Sequence, residues 1–114
     1  MEGKKVLYIL WTNADLETAR LMVMMYATNS KLNRLWDEVT VILWGPTVRL
    51  VAENEMIQGL MQTSVQAGVK FSACISCAHQ LGVAEKLEAL GIDVIPWVQP
   101  FTDILQNKEH LLTV

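Results

Sequence analysis

The sequence predicts an α/β domain with three layers, in which helices cover both faces of a mainly parallel sheet of about five strands. Short β-branched and aromatic runs recur along the chain, and stretches rich in helix-forming residues separate them. Parallel strands need such helical crossovers, because a tight hairpin joins only antiparallel strands. A length of 114 residues is near the commonest size of one domain, so we expect residues 1–114 to form a single domain.

Five short apolar runs are predicted as strands. The first two are continuous β-branched and aromatic runs, typical of strands that are covered on both faces. The third run leads into the first cysteine, the fourth ends at a tryptophan, and the fifth is a short run at the end of the sequence. In chain order these runs are residues 6–11, 39–44, 69–73, 92–97 and 111–114.

The predicted helices lie between these runs and have recognisable ends. Thr12 and Asp15 have the spacing of a capping box before the first helix. Gly68 and Gly91 suit the left-handed conformation that ends a helix, and Pro100 suits a first helical turn. A further glycine interrupts the helical stretch after the third strand. In chain order the helical stretches are residues 16–28, 54–66, 74–80, 83–90 and 101–107.

Composition excludes several classes of function. The net charge of −3 and the lack of a basic cluster argue against nucleic acid as a partner. The longest apolar run, residues 21–27, is far shorter than the roughly 18 residues of a membrane span. Neither this run nor residues 6–11 resembles a signal peptide, so we expect a cytoplasmic protein without membrane contact. Because residues 21–27 are apolar all round, we also expect part of that helix to be buried in a homo-oligomer.

Cys74 and Cys77 are the strongest candidates for catalytic residues. Cys74 falls between a predicted strand and a predicted helix, where helix amide groups stabilise a thiolate. Cys77 follows about one helical turn later, at a spacing that allows a disulfide with Cys74 or the resolution of a persulfide on it. Two buried cysteines that act only as small apolar residues are the alternative.

Metal and haem sites fit this cysteine pair poorly. Zinc needs about two further ligands, and the chain offers only His79, His110 and carboxylates, with no second paired motif. Covalent haem needs histidine directly after the second cysteine, where Ala78 stands. We therefore expect no metal and no cofactor, and we interpret His79 as a surface or packing residue.

Three tryptophans fall at or near the ends of predicted strands. Ligands of parallel sheets usually bind beyond the carboxyl ends of the strands, so Trp11, Trp44 and Trp97 are candidates to line a pocket beside Cys74. The alternative for each tryptophan is a place in the core or in a subunit contact, because aromatic residues dominate both settings.

Residues 70–83 carry a resemblance to a known family. This segment has a cysteine at a strand end, Cys74, and a glycine eight residues later, Gly82, and Leu-Gly-Ile-Asp-Val follows at residues 90–94. It resembles the DsrE/DsrF-like family, which includes the TusD and YchN-like sulfur-relay proteins. The resemblance extends over nearly the whole chain and implies a DsrE-like fold, a persulfide on Cys74, and a homo-oligomer, commonly a trimer or hexamer. Cys77 occupies a position that is often not cysteine in the relay subunits, which leaves room for disulfide chemistry.

Three hypotheses of function follow. The leading one is a sulfur-handling protein, a sulfurtransferase or sulfur carrier, that accepts sulfane sulfur on Cys74 and exchanges it with donor or acceptor proteins, with Cys77 auxiliary. The second is a dithiol redox protein or sensor that uses both cysteines. The third is a non-catalytic oligomeric binding module.

Overall fold

Five parallel strands form the centre of the protein in a computed structural model that describes residues 3–114. Their order across the sheet is β4-β3-β2-β1-β5, and all four neighbouring pairs run parallel. The predicted parallel sheet is thereby confirmed, with β1 at its predicted bounds and the ends of the other strands shifted by one or two residues. The strands are β1 (Val6–Trp11), β2 (Glu38–Leu43), β3 (Lys70–Cys74), β4 (Asp93–Ile95) and β5 (His110–Thr113).

Helical segments connect the strands. A continuous first helix consists of α1, a π-helical segment and α2, and it runs four residues beyond its predicted end. The segments are α1 (Leu16–Thr18), the π-helix Ala19–Met24, α2 (Met25–Leu32), α3 (Pro46–Glu53), α4 (Glu55–Gln66), α5 (Ile75–Leu81), α6 (Ala84–Ala89) and α7 (Val98–Gln106).

The order of the strands explains the three layers. From β1 to β4 each strand is added on the same side of its predecessor, so right-handed crossovers place α1 to α6 on one face of the sheet. The connection from β4 to β5 returns across the sheet and places α7 on the other face. Alternate side chains of β1 point to opposite faces of the sheet. Ile9 belongs to the larger core on the face of α1 to α6, whereas Leu10 packs against the smaller cluster of Trp97 and Ile104 on the face of α7.

The start of the first helix differs from the predicted capping box. Asp15 is itself the N-cap, and its carboxylate accepts a hydrogen bond from the Thr18 backbone N–H at 2.9 Å. This hydrogen bond lowers the pKa of the Asp15 carboxyl. Thr12 instead joins the end of β1 to the last residue, since its backbone N–H donates to the Val114 carbonyl at 2.7 Å.

Helix α3 was not predicted, and it matters because it borders the candidate site. The Gly45-Pro46 pair that suggested only a strand end also begins this helix, with Pro46 in its first turn. The buried hydroxyl of Thr47 donates to the Trp11 carbonyl at 2.7 Å and thereby fixes the start of α3 to the end of β1.

Apolar side chains remain exposed along the first helix. Leu16, Leu21, Met25 and Leu32 are between 43% and 62% exposed. Successive members of this set are five, four and seven residues apart. Four and seven residues are one and two turns of an α-helix, and the spacing of five leads into the π-helical segment, which has more residues per turn. The four side chains therefore lie along one side of the helix. No helix in the part of the chain that the structure describes is long and apolar enough to span a membrane.

Candidate functional site

The carboxyl edge of the sheet brings the candidate residues into one region. Trp11 pairs with Leu43 across β1 and β2, and Leu43 pairs with Ala73 across β2 and β3. Cys74 follows Ala73 as the last residue of β3 and pairs with Ile95 of β4. The edge at which parallel sheets usually bind ligands is therefore the edge that carries the first cysteine.

Cys74 is buried at the junction of β3 and α5. It is the N-cap residue of α5, as the strand-to-helix transition predicted, but its side chain makes no capping hydrogen bond. The Cys74 residue is only 4% exposed. No hydrogen bond from a helix N–H to the Cys74 side chain supports the predicted stabilisation of its thiolate, which stays a prediction.

Cys77 lies in the first turn of α5 and is half-buried. Its sulfur accepts a hydrogen bond from the Gly45 backbone N–H, with a nitrogen to sulfur distance of 3.4 Å. Burial raises the pKa of the Cys77 thiol, the Gly45 N–H opposes this effect, and the adjoining Cys74 thiol raises the pKa further through a hydrogen bond and charge. The two thiols lie three residues apart at the start of α5, and both are free.

Gly45 has a backbone conformation that brings its N–H to Cys77. Its φ of 74° and ψ of −134° turn the chain from β2 into α3, and this region is almost restricted to glycine. A Cβ on Gly45 would meet no heavy atom within 4 Å, so the need for glycine here comes from the backbone angles and not from crowding.

A pocket of about 340 Å³ opens between α3 and α5. Cys77 lies on its wall, whereas Cys74 does not line it. The lining is mostly apolar, with one arginine and one glutamine as polar side chains. The lining residues are Gly45, Pro46, Arg49, Cys77, Gln80 and Leu81.

The three tryptophans reach the predicted edge but do not line this pocket. Trp11 is fully buried and donates its indole N–H to the Asn13 carbonyl at 2.8 Å. Trp97 is buried on the opposite face, where its indole N–H donates to Ser72 Oγ at 2.8 Å. Trp44 packs edge-on against Phe101, with ring centres 5.5 Å apart. Side-chain alternation directs Trp11 into the larger core, so a position at the sheet edge did not make it a pocket residue.

Residues that could hold a metal are not grouped in this region. Within residues 3–114, no three His, Cys, Asp or Glu side chains are arranged as a metal site. His79 is exposed on α5 and lines a different cavity, beside Gly82 and Glu85. Two free thiols, one of them on the wall of a pocket, are the reactive groups that the structure places at this edge.

Sequence reasoning missed Gly45 and Arg49 as site residues. Gly45-Pro46 lacks the lysine and further glycines of a phosphate-binding loop, so its sequence suggested no binding role. The available signal was the proline directly after a glycine at a strand end, because proline suits the first turn of a helix. That helix would have placed Arg49 one turn from the carboxyl edge.

These features define a class of protein: a three-layer α/β/α fold with two neighbouring thiols at the carboxyl edge of its third strand. The chain belongs to the DsrE/DsrF-like family, whose sequence profile matches residues 4–114. The resemblance found in residues 70–83 is thereby confirmed. No curated protein matches the chain in sequence.

Solved structures show the same fold. A conserved protein of unknown function from Bacteroides thetaiotaomicron is 37% identical, with a TM-score of 0.94 over 96% of this chain and 95% of that one. A protein of unknown function from Methanobacterium thermoautotrophicum is 18% identical, with a TM-score of 0.74 over 98% of this chain and all of its own. The YchN protein of E. coli is 12% identical, with a TM-score of 0.67 and the same coverage.

Proposed function

We propose that this protein handles sulfane sulfur, with Cys74 as the residue that holds it as a persulfide and Cys77 as the auxiliary thiol. The observation that carries the proposal is the placement of two free thiols at the carboxyl edge, one buried at the end of β3 and one facing a pocket from the first turn of α5. Membership of the DsrE/DsrF-like family supports a role in sulfur relay. Such a role requires a sulfur donor and a sulfur acceptor.

The two thiols have different tasks in this proposal. A cysteine thiolate attacks the outer sulfur of a donor R–S–S–H, the bond between the donor's two sulfurs breaks, and R–S⁻ leaves with the electron pair. The protein then carries Cys–S–S–H, and no external oxidant is consumed. The 4% exposure of Cys74 protects a persulfide there from water and stray thiols. Cys77 is close enough to take the sulfur from Cys74 or to pass sulfur to it.

A dithiol redox protein is the second candidate, and the placement of the two thiols favours it. A Cys77 thiolate that attacks Sγ of a Cys74 persulfide forms a disulfide and releases hydrosulfide. The same disulfide could form by exchange with an external disulfide, and a dithiol reductant would then have to reopen it. This chemistry needs both cysteines, whereas persulfide storage needs only Cys74.

We also propose that the protein is a homo-oligomer whose interface covers the apolar side chains of the first helix. Leu21 and Met25 are about half exposed there, at 50% and 48%. Large apolar side chains that line up on one side of a helix are typical of a protein contact surface. The arrangement supports association of like subunits without specifying their number.

Intact mass after exposure to inorganic polysulfide tests the sulfur proposal. We expect the unmodified protein to gain the mass of one sulfur atom that a reductant removes, and Cys77→Ser to gain it more slowly, because the small polysulfide must then reach Cys74 without help from Cys77. Cys74→Ser should take up sulfur only on Cys77 and should lose it to an added small thiol, because a persulfide there faces the pocket. Ser76→Ala is the matched control, because Ser76 lies between the cysteines and is exposed. This variant should load like the unmodified protein.

A parallel assay of turnover on a model disulfide under reducing conditions separates the candidates. Fast turnover that requires both cysteines, together with no sulfur loading, would establish the redox protein and refute the carrier. Failure of both assays would refute both chemical roles and leave the non-catalytic binding module.

A further inference from the structure

The pocket beside Cys77 has one charged group on its wall. Of its lining residues in the described part of the chain, Arg49 alone carries a formal charge. Its ion pair with Glu53 is long, 3.9 Å from Nε to Oε1, and both side chains are more than half exposed. Exposed pairs of this kind are weak, so Glu53 does little to neutralise the guanidinium. The pocket therefore presents a positive charge to a ligand although the protein as a whole is acidic.

The rest of the lining suits a small organic molecule. Pro46 and Leu81 supply apolar surface, and Gln80 supplies an amide. The volume of about 340 Å³ is at the lower end of the range for small-molecule sites, roughly 300–1,000 Å³. A planar guanidinium matches a carboxylate in shape and charge. The pocket thus combines a carboxylate partner, an apolar wall and a thiol.

We propose that this pocket binds a low-molecular-weight thiol acid in its persulfide form, with the carboxylate at Arg49 and the sulfane sulfur at Cys77. The inference rests on the sulfur-handling function proposed above and names its donor class. Cys77 is the point of entry, because it lines the pocket and Cys74 does not.

The transfer balances in two steps. The Cys77 thiolate attacks the outer sulfur of R–S–S–H, so that a Cys77 persulfide forms and R–S⁻ leaves. The Cys74 thiolate then attacks the outer sulfur of that persulfide, which moves the sulfur inward and regenerates the Cys77 thiolate. The persulfide keeps its proton throughout, and the proton that the Cys74 thiol loses passes through water to the released R–S⁻.

The charge of the pocket can be tested without any sulfur transfer. Methanethiosulfonates with an anionic sulfonatoethyl or a cationic trimethylammonioethyl group label thiols by the same reaction, so the ratio of their rates at Cys77 reports the local charge. Rates are measured by peptide mapping and divided by those of the urea-unfolded protein. We expect the anionic reagent to be favoured about three- to ten-fold, as one nearby charge near a protein surface predicts. Arg49→Gln should remove most of this preference, and Arg49→Lys should keep part of it.

Arg20→Gln is the matched control, because it removes the same charge from an arginine that lines a separate cavity beside Met24 and Leu60. It should leave the labelling ratio unchanged. A ratio near one in the unmodified protein, or an equal drop in both Arg→Gln variants, would overturn the pocket proposal.

Loading from two persulfides tests the ligand class. With the persulfides of 3-mercaptopropionate and of 2-mercaptoethanol, we expect the KM to be about three- to ten-fold lower for the acid, and equal for the two in Arg49→Gln. Equal KM values in the unmodified protein, or loading only from a persulfidated protein, would overturn the small-acid proposal while the sulfur function stands. A preference of Cys77 for the anionic reagent, together with no sulfur loading from any persulfide, would refute the sulfur function and the proposed donor. The pocket would then be a binding site for thiol acids and no more.

Discussion

Gly45→Ala is the substitution that most directly tests how the fold builds the site. The φ of 74° and ψ of −134° at Gly45 lie in a region that residues with a Cβ avoid, and holding alanine there costs about 1–3 kcal/mol. The new methyl group meets nothing within 4 Å, so strain of the backbone accounts for the whole effect. For a protein of this size, about 4 °C of melting temperature is lost per kcal/mol, which gives a decrease of about 4–12 °C.

The same substitution has a second readout at Cys77. The Gly45 N–H that donates to the Cys77 sulfur lowers the pKa of that thiol. If the peptide rotates to relieve the strain, this hydrogen bond is lost and the pKa of Cys77 rises further. Alkylation of Cys77 by iodoacetamide near neutral pH should then be slower than in the unmodified protein, because only the thiolate reacts.

Gly59→Ala provides the matched control for the thermal measurement. Gly59 lies inside α4 and is exposed, and a Cβ at this position would have no heavy atom within 4 Å. Alanine favours a helix interior by roughly 0.5–1 kcal/mol over glycine, so this variant should melt slightly higher. Thermal unfolding followed by circular dichroism compares the two. A melting temperature of Gly45→Ala within about 2 °C of that of Gly59→Ala would refute the strain at Gly45.

Two further predictions concern the thiols and the subunit contact. Burial and Cys74 both raise the pKa of Cys77, so the pH midpoint of its alkylation should lie above that of the urea-unfolded chain. Cys74→Ala should lower this midpoint, and an unchanged midpoint in the variant would contradict an interaction between the two thiols. The double variant Leu21→Glu/Met25→Glu should raise the dissociation constant of the oligomer at least about ten-fold, seen as smaller species in light scattering. Leu105→Glu changes an exposed position on α7 and should leave the dissociation constant unchanged. An unmodified protein that is monomeric would refute the proposed oligomer.

The fold could be predicted because its strands carry strong local signals. β1 and β2 are continuous apolar runs, and the helices between strands leave a parallel sheet as the main solution. The sequence did not predict that α1 to α6 cover one face of the sheet and α7 alone the other. This distribution follows from the order of the strands in the sheet, and local sequence patterns carry no information on that order. Helix α3 was missed since Gly45-Pro46 at a strand end signals a turn as readily as a helix start.

The site could be predicted in position but not in orientation. The spacing of Cys74 and Cys77 placed two thiols at the end of a strand, and the structure has them there. Which thiol reaches a pocket depends on α3 packing beside α5, a contact between residues about thirty positions apart, such as Gly45 and Cys77. The position of Arg49 on the pocket wall depends on the same contact between α3 and α5, and no sequence motif predicts that contact.

The environment of Cys77 bears on the choice between the two proposed functions, a sulfur carrier and a general disulfide catalyst. Redox catalysts with paired cysteines commonly lower the pKa of the exposed thiol to about 7 or below, so that it attacks many disulfides at neutral pH. In this protein burial raises the pKa of the pocket-facing Cys77, and the Gly45 N–H offsets the shift only in part. A thiol of this kind reacts slowly with unbound partners, but a ligand that is held beside it gains from proximity. Arg49 lines the same pocket and is the residue that we propose holds such a ligand. The raised pKa therefore favours transfer from a bound donor over exchange with disulfides in solution.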